Sequence, residues 1–448
     1  MKKLTPPQLL ILSFLCVIIL GTAVLSLPMA TSGTEKLSIT DSLFTAASAT
    51  CVTGLVVKDT GTTFTPFGKW VIFALFQAGG LGIMTFSTLF AVLLGRKIGF
   101  RETDIIKGTL DNHNILGLKK LITYILGITF AAEGLGALFL FVRWKVSTDW
   151  GVWEILEKSI FHSVSAFCNA GFSLFSNNLA SFQADPYINL IMIVLIFLGG
   201  IGFIVIMDAM GLLFKKGPAK RVSLQTKIVL TVSVALIILG AVLLLVFERN
   251  NALKGMTAAE RGLGAIFHSV AARTAGFNTL DIGSFTAPSL MSLIFLMFIG
   301  ASPGSTGGGI KTCTFAVVMA LTFGMMKNRK KVMFFGRSVP KQVIREALVI
   351  FFLALAWIFI GTMVLTVIGG SFTRGDNVFI KALFEIVSAF GTVGLSTGIT
   401  GTLSGAGKIL VIVTMFAGRV GPLTLALAVA SRERKDNYFY PEENLMVG

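Results

Sequence analysis

Four tripeptides in this chain place glycine where a backbone turn could present carbonyl oxygens to an ion. They are Val52-Thr53-Gly54, Asn169-Ala170-Gly171, Thr274-Ala275-Gly276 and Thr392-Val393-Gly394. Glycine takes positive φ without steric cost, so it suits a turn that aims carbonyls in one direction. Rings of backbone carbonyls can replace the hydration shell of potassium. None of the tripeptides contains a carboxylate. Selection by carbonyls rather than by an acidic ring suits a monovalent cation, potassium first. The candidate ion-binding residues are Thr53, Gly54, Ala170, Gly171, Ala275, Gly276, Val393 and Gly394.

Each tripeptide closes a longer repeated segment. Phe44–Gly54 reads F-T-A-A-S-A-T-C-V-T-G and Phe161–Gly171 reads F-H-S-V-S-A-F-C-N-A-G. Phe267–Gly276 reads F-H-S-V-A-A-R-T-A-G and Phe384–Gly394 reads F-E-I-V-S-A-F-G-T-V-G. The closing glycines lie 117, 105 and 118 residues apart. Self-similarity at a long period marks repeated architecture. From Phe to Gly the third segment is one residue shorter than the others, which leaves its helical register open by one residue.

The elements that must position these turns are membrane helices. Of 448 residues, 54% are hydrophobic and 13% charged, against about 25% charged in soluble domains. A spanning helix needs about 20 apolar residues. Eight stretches qualify, two around each repeated segment. The first of each pair covers Gln8–Leu27, Leu121–Val142, Ile228–Phe247 and Ala347–Ile368. The second covers Phe67–Leu94, Tyr187–Phe214, Pro288–Met326 and Gly407–Ala430. The run after Lys2-Lys3 is too long for the apolar core of a signal peptide, so it reads as the first span. The repeated segments are too short to span and read as re-entrant half-helices. The expected fold is an all-α membrane protein of four pseudo-repeats: 1–94, 95–214, 215–326 and 327–448. Each contributes outer helix, pore loop and inner helix around one central pore.

The net charge of +16 would suggest nucleic acid in a soluble protein, but here it sits in short loops and sets topology. With the N-terminus inside, the inner segments are the first residues, Gly95–Lys120, Lys215–Lys227, Lys327–Arg345 and the tail after Ala430. They hold most of the 38 basic residues. Both termini are therefore expected in the cytoplasm, with no nucleic-acid partner.

The second helices share a glycine mark: Gly79-Gly80-Leu81-Gly82, Gly199-Gly200-Ile201-Gly202 and Gly418-Arg419-Val420-Gly421. The third replaces it with a stretch from Gly300 to Lys311 that contains Pro303, Gly304, Gly307, Gly308 and Gly309. That composition cannot support a good helix. Irregular backbone at membrane depth is tolerated only inside protein or beside water. The stretch is a candidate gate built from Gly304, Gly307, Gly308, Gly309 and Lys311. Arg419, a second charge at this depth, is a functional candidate by default.

With T-G-L, A-G-F, A-G-F and V-G-L closing its repeated segments, the chain resembles the Trk/Ktr/HKT superfamily of potassium transporters over essentially its whole length. The A-S-P-G-S-T-G-G-G-I-K stretch is most similar to Ktr-type membrane subunits of bacteria. The resemblance implies a potassium uptake subunit in the cell membrane, with Gly54, Gly171, Gly276 and Gly394 as selectivity glycines. In plant relatives serine at the first of these positions accompanies sodium transport, so Gly54 implies potassium. The resemblance also places a gate loop at Gly300–Lys311 and a flux-limiting arginine at Arg419. It implies a homodimer seated on a cytosolic, nucleotide-binding regulatory ring of the RCK type. Symport with sodium or protons stays open beside channel-like conduction.

Other residues carry less. Gly304–Thr312 has the look of a phosphate-binding loop, but Ile310 separates Gly309 from Lys311 and no strand precedes it. No cofactor is expected in this chain. Cys16, Cys51, Cys168 and Cys313 show no metal or disulfide spacing. His113, His162 and His268 are too scattered for a transition-metal centre. Glu133 fits an interhelical hydrogen bond, and Asp208 either a vestibule or a local cap. No H-E-x-x-H string suggests an enzyme.

Overall fold

The computed structural model describes residues 6–32, 37–93, 115–214, 222–329, 331–374, 377–421 and 424. The tail after Ala430, His113 and parts of the expected cytoplasmic segments Gly95–Lys120 and Lys215–Lys227 lie outside the described residues.

Four long helices recur: α1 (Pro6–Leu25), α4 (Ile115–Ser147), α8 (Leu224–Phe247) and α12 (Lys341–Ile368). Each contains a stretch long and apolar enough to cross a membrane, and most of each stretch faces outward. An apolar, outward face is what lipid requires of a spanning helix. These are the expected first members of the four pairs.

Each long helix is followed by a short one: α2 (Ile39–Thr50), α5 (Val152–Phe167), α9 (Ala258–Ala271) and α13 (Val378–Gly391). At 1.5 Å per residue none is long enough to cross about 30 Å of hydrocarbon. They begin earlier than the repeated Phe, and polar caps start two of them. Ser38 accepts from Asp41 N, and Thr257 and Glu260 form a reciprocal capping box. Each short helix packs on the long helix before it. Phe44, Phe161, Phe267 and Phe384 are all at most 2% exposed, so the repeated phenylalanine is a buried anchor.

The second members are less regular. α3 (Pro66–Leu93) is continuous. α6 (Pro186–Ile201) and α7 (Phe203–Phe214) meet at a 102° bend on Gly202, whose φ is 86°. α10 (Ala287–Phe298) and α11 (Thr312–Met326) flank the glycine-rich stretch, and α14 (Gly405–Val420) stops at Gly421, φ 90°. The irregular stretch expected at Gly300–Lys311 interrupts the third second member, while glycine turns bend the second and end α14. Glycine's freedom to take positive φ permits the turns at Gly202 and Gly421.

Beyond α11 a two-residue hairpin, β1 (Met333–Phe334) with β2 (Arg337–Ser338), turns through Phe335 and Gly336, both at positive φ.

Charged side chains tie distant elements. Lys408 Nζ of α14 lies 2.6 Å from Asp41 Oδ1 of α2, joining the last segment to the first. Glu248, at the end of α8, is 1% exposed. It accepts from Thr286 N and Thr286 Oγ1, both at 2.8 Å, and from Asn251 Nδ2 at 2.7 Å. Burial raises its pKa, but donors from Ser289, Thr286 and Asn251 outweigh this and hold the carboxyl below its ordinary 4.5. A depressed carboxyl adds stability that is present above the unfolded pKa and lost as pH falls through the folded one. Glu248→Gln is expected to cost about 1–3 kcal/mol at neutral pH and to remove part of the acid sensitivity below pH 4.5. Thermal melting of both proteins across pH checks this; coincident curves at neutral pH would refute it.

Candidate ion-binding ring and gate loop

The four short helices end where the tripeptides begin, and the tripeptides share one backbone geometry. Gly54, Gly171, Gly276 and Gly394 have φ of 86°, 70°, 73° and 93°. Two residues earlier, Val52, Asn169, Thr274 and Thr392 also have positive φ, between 48° and 76°. Such a conformation is strained for β-branched residues and occurs where surrounding structure imposes it.

The glycines meet in a closed ring. A Cβ built on Gly54 would lie 2.5 Å from Ala170 O and 2.9 Å from Gly171 Cα. On Gly171 it would lie 2.9 Å from Ala275 O, and on Gly276 2.6 Å from Val393 O. On Gly394 it would strike Thr53 O, with Gly54 Cα at 3.0 Å. Each glycine therefore abuts the carbonyl preceding the next, in the order first, second, third, fourth, first. All eight expected residues, Thr53, Gly54, Ala170, Gly171, Ala275, Gly276, Val393 and Gly394, are brought together. Four helix C-termini end at this ring, and a helix C-terminus carries about half a negative charge. Carbonyl dipoles and helix ends together favour a cation.

The shorter third segment is resolved in the turn itself. Thr53 N, Ala170 N and Val393 N donate to the carbonyls of Ser48, Ser165 and Ser388, five residues back. Ala275 N donates to Ala271 O, four residues back. The missing residue is absorbed in the closing turn, and Gly276 keeps its place.

Two sets of residues support the turns: serines that the sequence left unremarked, and the position of His162 and His268, read there only as no metal centre. Ser48 Oγ donates to Leu55 O at 2.7 Å and Ser165 Oγ to Phe172 O at 2.8 Å, while Gly394 N donates to Ser388 Oγ at 3.1 Å. Their signal was the S-A pair shared by three repeated segments. One position after the repeated Phe, His162 contacts Ser173 Oγ at 3.0 Å, and His268 Nε2 accepts from Leu280 N at 3.4 Å. Glu385 there accepts from Ser396 at 2.9 Å and from Thr400. Side chains at this position hold the strand that leaves the ring.

The glycine-rich stretch lies directly against the ring and is buried along most of its length. Gly308 N donates to Thr392 Oγ1 at 2.9 Å, and a Cβ on Gly307 would strike Thr274 Oγ1. Its backbone is tied to the glycine marks of the other second helices. Ser302 N donates to Gly200 O, Thr306 N to Gly199 O and Gly309 N to Gly418 O. Those helices approach closely for one reason. Gly79, Gly199 and Gly418 face the carbonyls of Thr50, Phe167 and Phe390, each four residues before a ring glycine, and a Cβ would collide there.

Two cations hold the stretch, one from α14 and one at its own end. Arg419, 4% exposed, donates to Thr306 O and, at 2.7 Å, to Gly79 O. Lys311 Nζ donates to Gly307 O at 2.6 Å. Gly304 and Gly309 take positive φ at its bends. Gly304, Gly307, Gly308, Gly309, Lys311 and Arg419 thus form one assembly.

A family model described as TrkH, cation transport protein, matches residues 10–440. The chain belongs to the TrkH cation transport protein family. Ktr system potassium uptake protein B of Bacillus subtilis is 40% identical over 448 residues, covering 100% of this chain and 97% of that protein. Its namesake from Vibrio alginolyticus is 40% identical, covering 99% and 95%. Potassium/sodium uptake protein NtpJ of Enterococcus hirae is 36% identical, covering 100% and 98%. The crystal structure of the potassium transporter TrkH from Vibrio parahaemolyticus aligns with a TM-score of 0.74 over 96% of this chain and 86% of that one. At 20% identity that likeness shows the shared fold.

Within this TrkH-family chain the other acidic candidates are local. Glu133 Oε2 accepts from Gln77 Nε2 at 3.0 Å across helices, as expected. Asp208 accepts from Ser223 N at 3.2 Å and Thr226 Oγ1 at 2.5 Å, which caps α8. The four cysteines are free. Among the described residues no cluster of His, Cys, Asp or Glu could hold a metal.

Gly54→Ser would push its Cβ into Ala170 O, a ring carbonyl. It is expected to lower the preference for potassium over sodium about tenfold, equivalent to roughly 1.4 kcal/mol. Competition of each ion against rubidium uptake measures this; unchanged preference in a folded variant removes Gly54 from the selecting ring.

Proposed function

We propose that this chain is the membrane subunit of a potassium uptake system, conducting potassium through the ring of four glycine turns. The observation that carries the reading is the closed ring itself, in which the carbonyls of Thr53, Ala170, Ala275 and Val393 sit between consecutive glycines. Eight membrane crossings in four pseudo-repeats, 1–94, 95–214, 215–326 and 327–448, surround it. A second member bent or broken at glycine still crosses the membrane as a pair. The selectivity residues are Thr53, Gly54, Ala170, Gly171, Ala275, Gly276, Val393 and Gly394, and ions leave toward the cytoplasm past the Gly300–Lys311 gate loop. Both termini are cytoplasmic. The resemblance to Ktr-type membrane subunits is the basis for proposing a homodimer on a cytosolic, RCK-type regulatory ring.

The relative named as a potassium/sodium uptake protein favours a second reading, coupled transport with sodium. A current that reverses at the potassium equilibrium potential, with no sodium or proton component, would eliminate it.

The test is uptake of radiolabelled rubidium into liposomes that hold the full chain and excess internal potassium. Uptake blocked by external potassium but not by sodium is the expected result. Failure both alone and with a Ktr-type regulatory subunit would overturn the reading. Shortening Gly304–Gly309 is expected to raise the maximal rate severalfold, because the loop obstructs the path. A folded variant with the original rate would sink the gate assignment.

A further inference from the structure

Arg273 is the third buried cation at the glycine-rich stretch and has no role in the reading above. It is 8% exposed, and among the described residues no carboxylate pairs with it. A charge at membrane depth is costly, so its retention asks for a function. Arg273 stands three residues before Gly276. The same position holds Cys51, Cys168 and Gly391 in the other segments, all small and uncharged. In the second segment Cys168 fills the space against Gly80 of the preceding second helix, where a Cβ would lie 2.8 Å from its sulfur. In the third segment the arginine lines the corresponding space beside Gly200 and reaches on to donate from Nη2 to Gly300 O at 3.4 Å.

That carbonyl belongs to the first residue of the gate loop. Arg419 holds the same loop at Thr306 O, near its middle. The two arginines come from different segments, one from the end of a half-helix and one from a second helix. A helix-end role alone would leave Arg273 at the C-terminus of α9, where a cation is favoured. Instead its guanidinium leaves α9 for the loop. A cavity of about 20 Å³ adjoins it, lined also by Ser233, Gly200 and Ala301. Ser233 Oγ and Arg273 Nε are buried there without protein partners. A space of this size holds about one water, and it adjoins Ala301, the second loop residue.

We propose that Arg273 is a positioning residue of the gate: it clamps the entry end of the loop at Gly300, as Arg419 clamps its middle, and so holds the conducting path closed. This rests on the gate reading proposed above. The geometry also separates gate from filter, since Arg273 bonds the loop and not a ring carbonyl.

The test uses the full chain in liposomes. Arg273→Gln should raise the maximal rubidium rate severalfold, with half-saturation and rubidium-over-sodium preference unchanged, and Arg273→Lys should restore most of the original rate. An unchanged rate in folded Arg273→Gln overturns the proposal, and so does altered preference at constant rate. If Arg273→Gln does not fold, a Ser305→Cys reporter in an Arg273→Met protein, which keeps an apolar stem but has no donor for Gly300 O, replaces it, with Cys16 and Cys313 changed to serine. Labelling by a cytoplasmic thiol reagent should then be faster than with Arg273 intact, and an equal rate overturns the clamp. Shortening Gly304–Gly309 distinguishes the two failures. If shortening raises flux and Arg273→Gln does not, the clamp alone falls. If neither raises it, the gate reading falls.

Discussion

Four stretches of backbone meet so closely around one ring that no side chain fits between them. At each of the four ring positions a single added carbon would collide with a neighbouring carbonyl or α-carbon. Glycine is therefore the residue that fits without displacing a neighbour, before any question of what the carbonyls bind. The same approach forces positive φ on Val52, Thr274 and Thr392, which their branched side chains resist. Hydrogen bonds donated by Ser48 and Ser165, and one accepted by Ser388 from Gly394 N, hold three of the turns in place. The buried phenylalanines anchor the short helices that deliver them.

Close approach then spreads outward. Gly79, Gly199 and Gly418 let second helices lie against the carbonyl ends of the short helices. The third second helix is interrupted instead, and its irregular backbone exposes carbonyls at membrane depth. With no water available in hydrocarbon, each such carbonyl needs a donor from the protein. Cations supply three of them: Lys311 to Gly307, Arg419 to Thr306 and Arg273 to Gly300. The positive charge beside the ring thus supplements the backbone donors, such as Phe203 N to Gly304 O, that satisfy the broken helix.

The repeated segment, its closing glycines and the four long apolar helices were legible in the sequence, because each rests on residue type and spacing along the chain. So was the failure of Gly300–Lys311 to form helix, since proline and clustered glycine act locally. That the 102° bend falls at Gly202 rather than at another glycine mark was not legible. Gly79-Gly80-Leu81-Gly82 has nearly the same composition, yet lies within the continuous α3. The difference is that Gly202 abuts Pro303 and Gly304 of the interrupted segment, and that Phe203 N donates to Gly304 O. A neighbour distant in sequence decides it.

The sequence by itself determined that the chain is a membrane protein, that one turn is written four times, and that glycine closes each copy. Those facts follow from hydropathy and from the steric reach of single residues. Only the tertiary structure decided that the four turns close into one ring, that a residue missing from the third is absorbed in its turn, and which carbonyl each buried cation holds. Such contacts join residues up to 340 positions apart. Packing in three dimensions sets them, and no pattern along the chain encodes distance between segments so far removed.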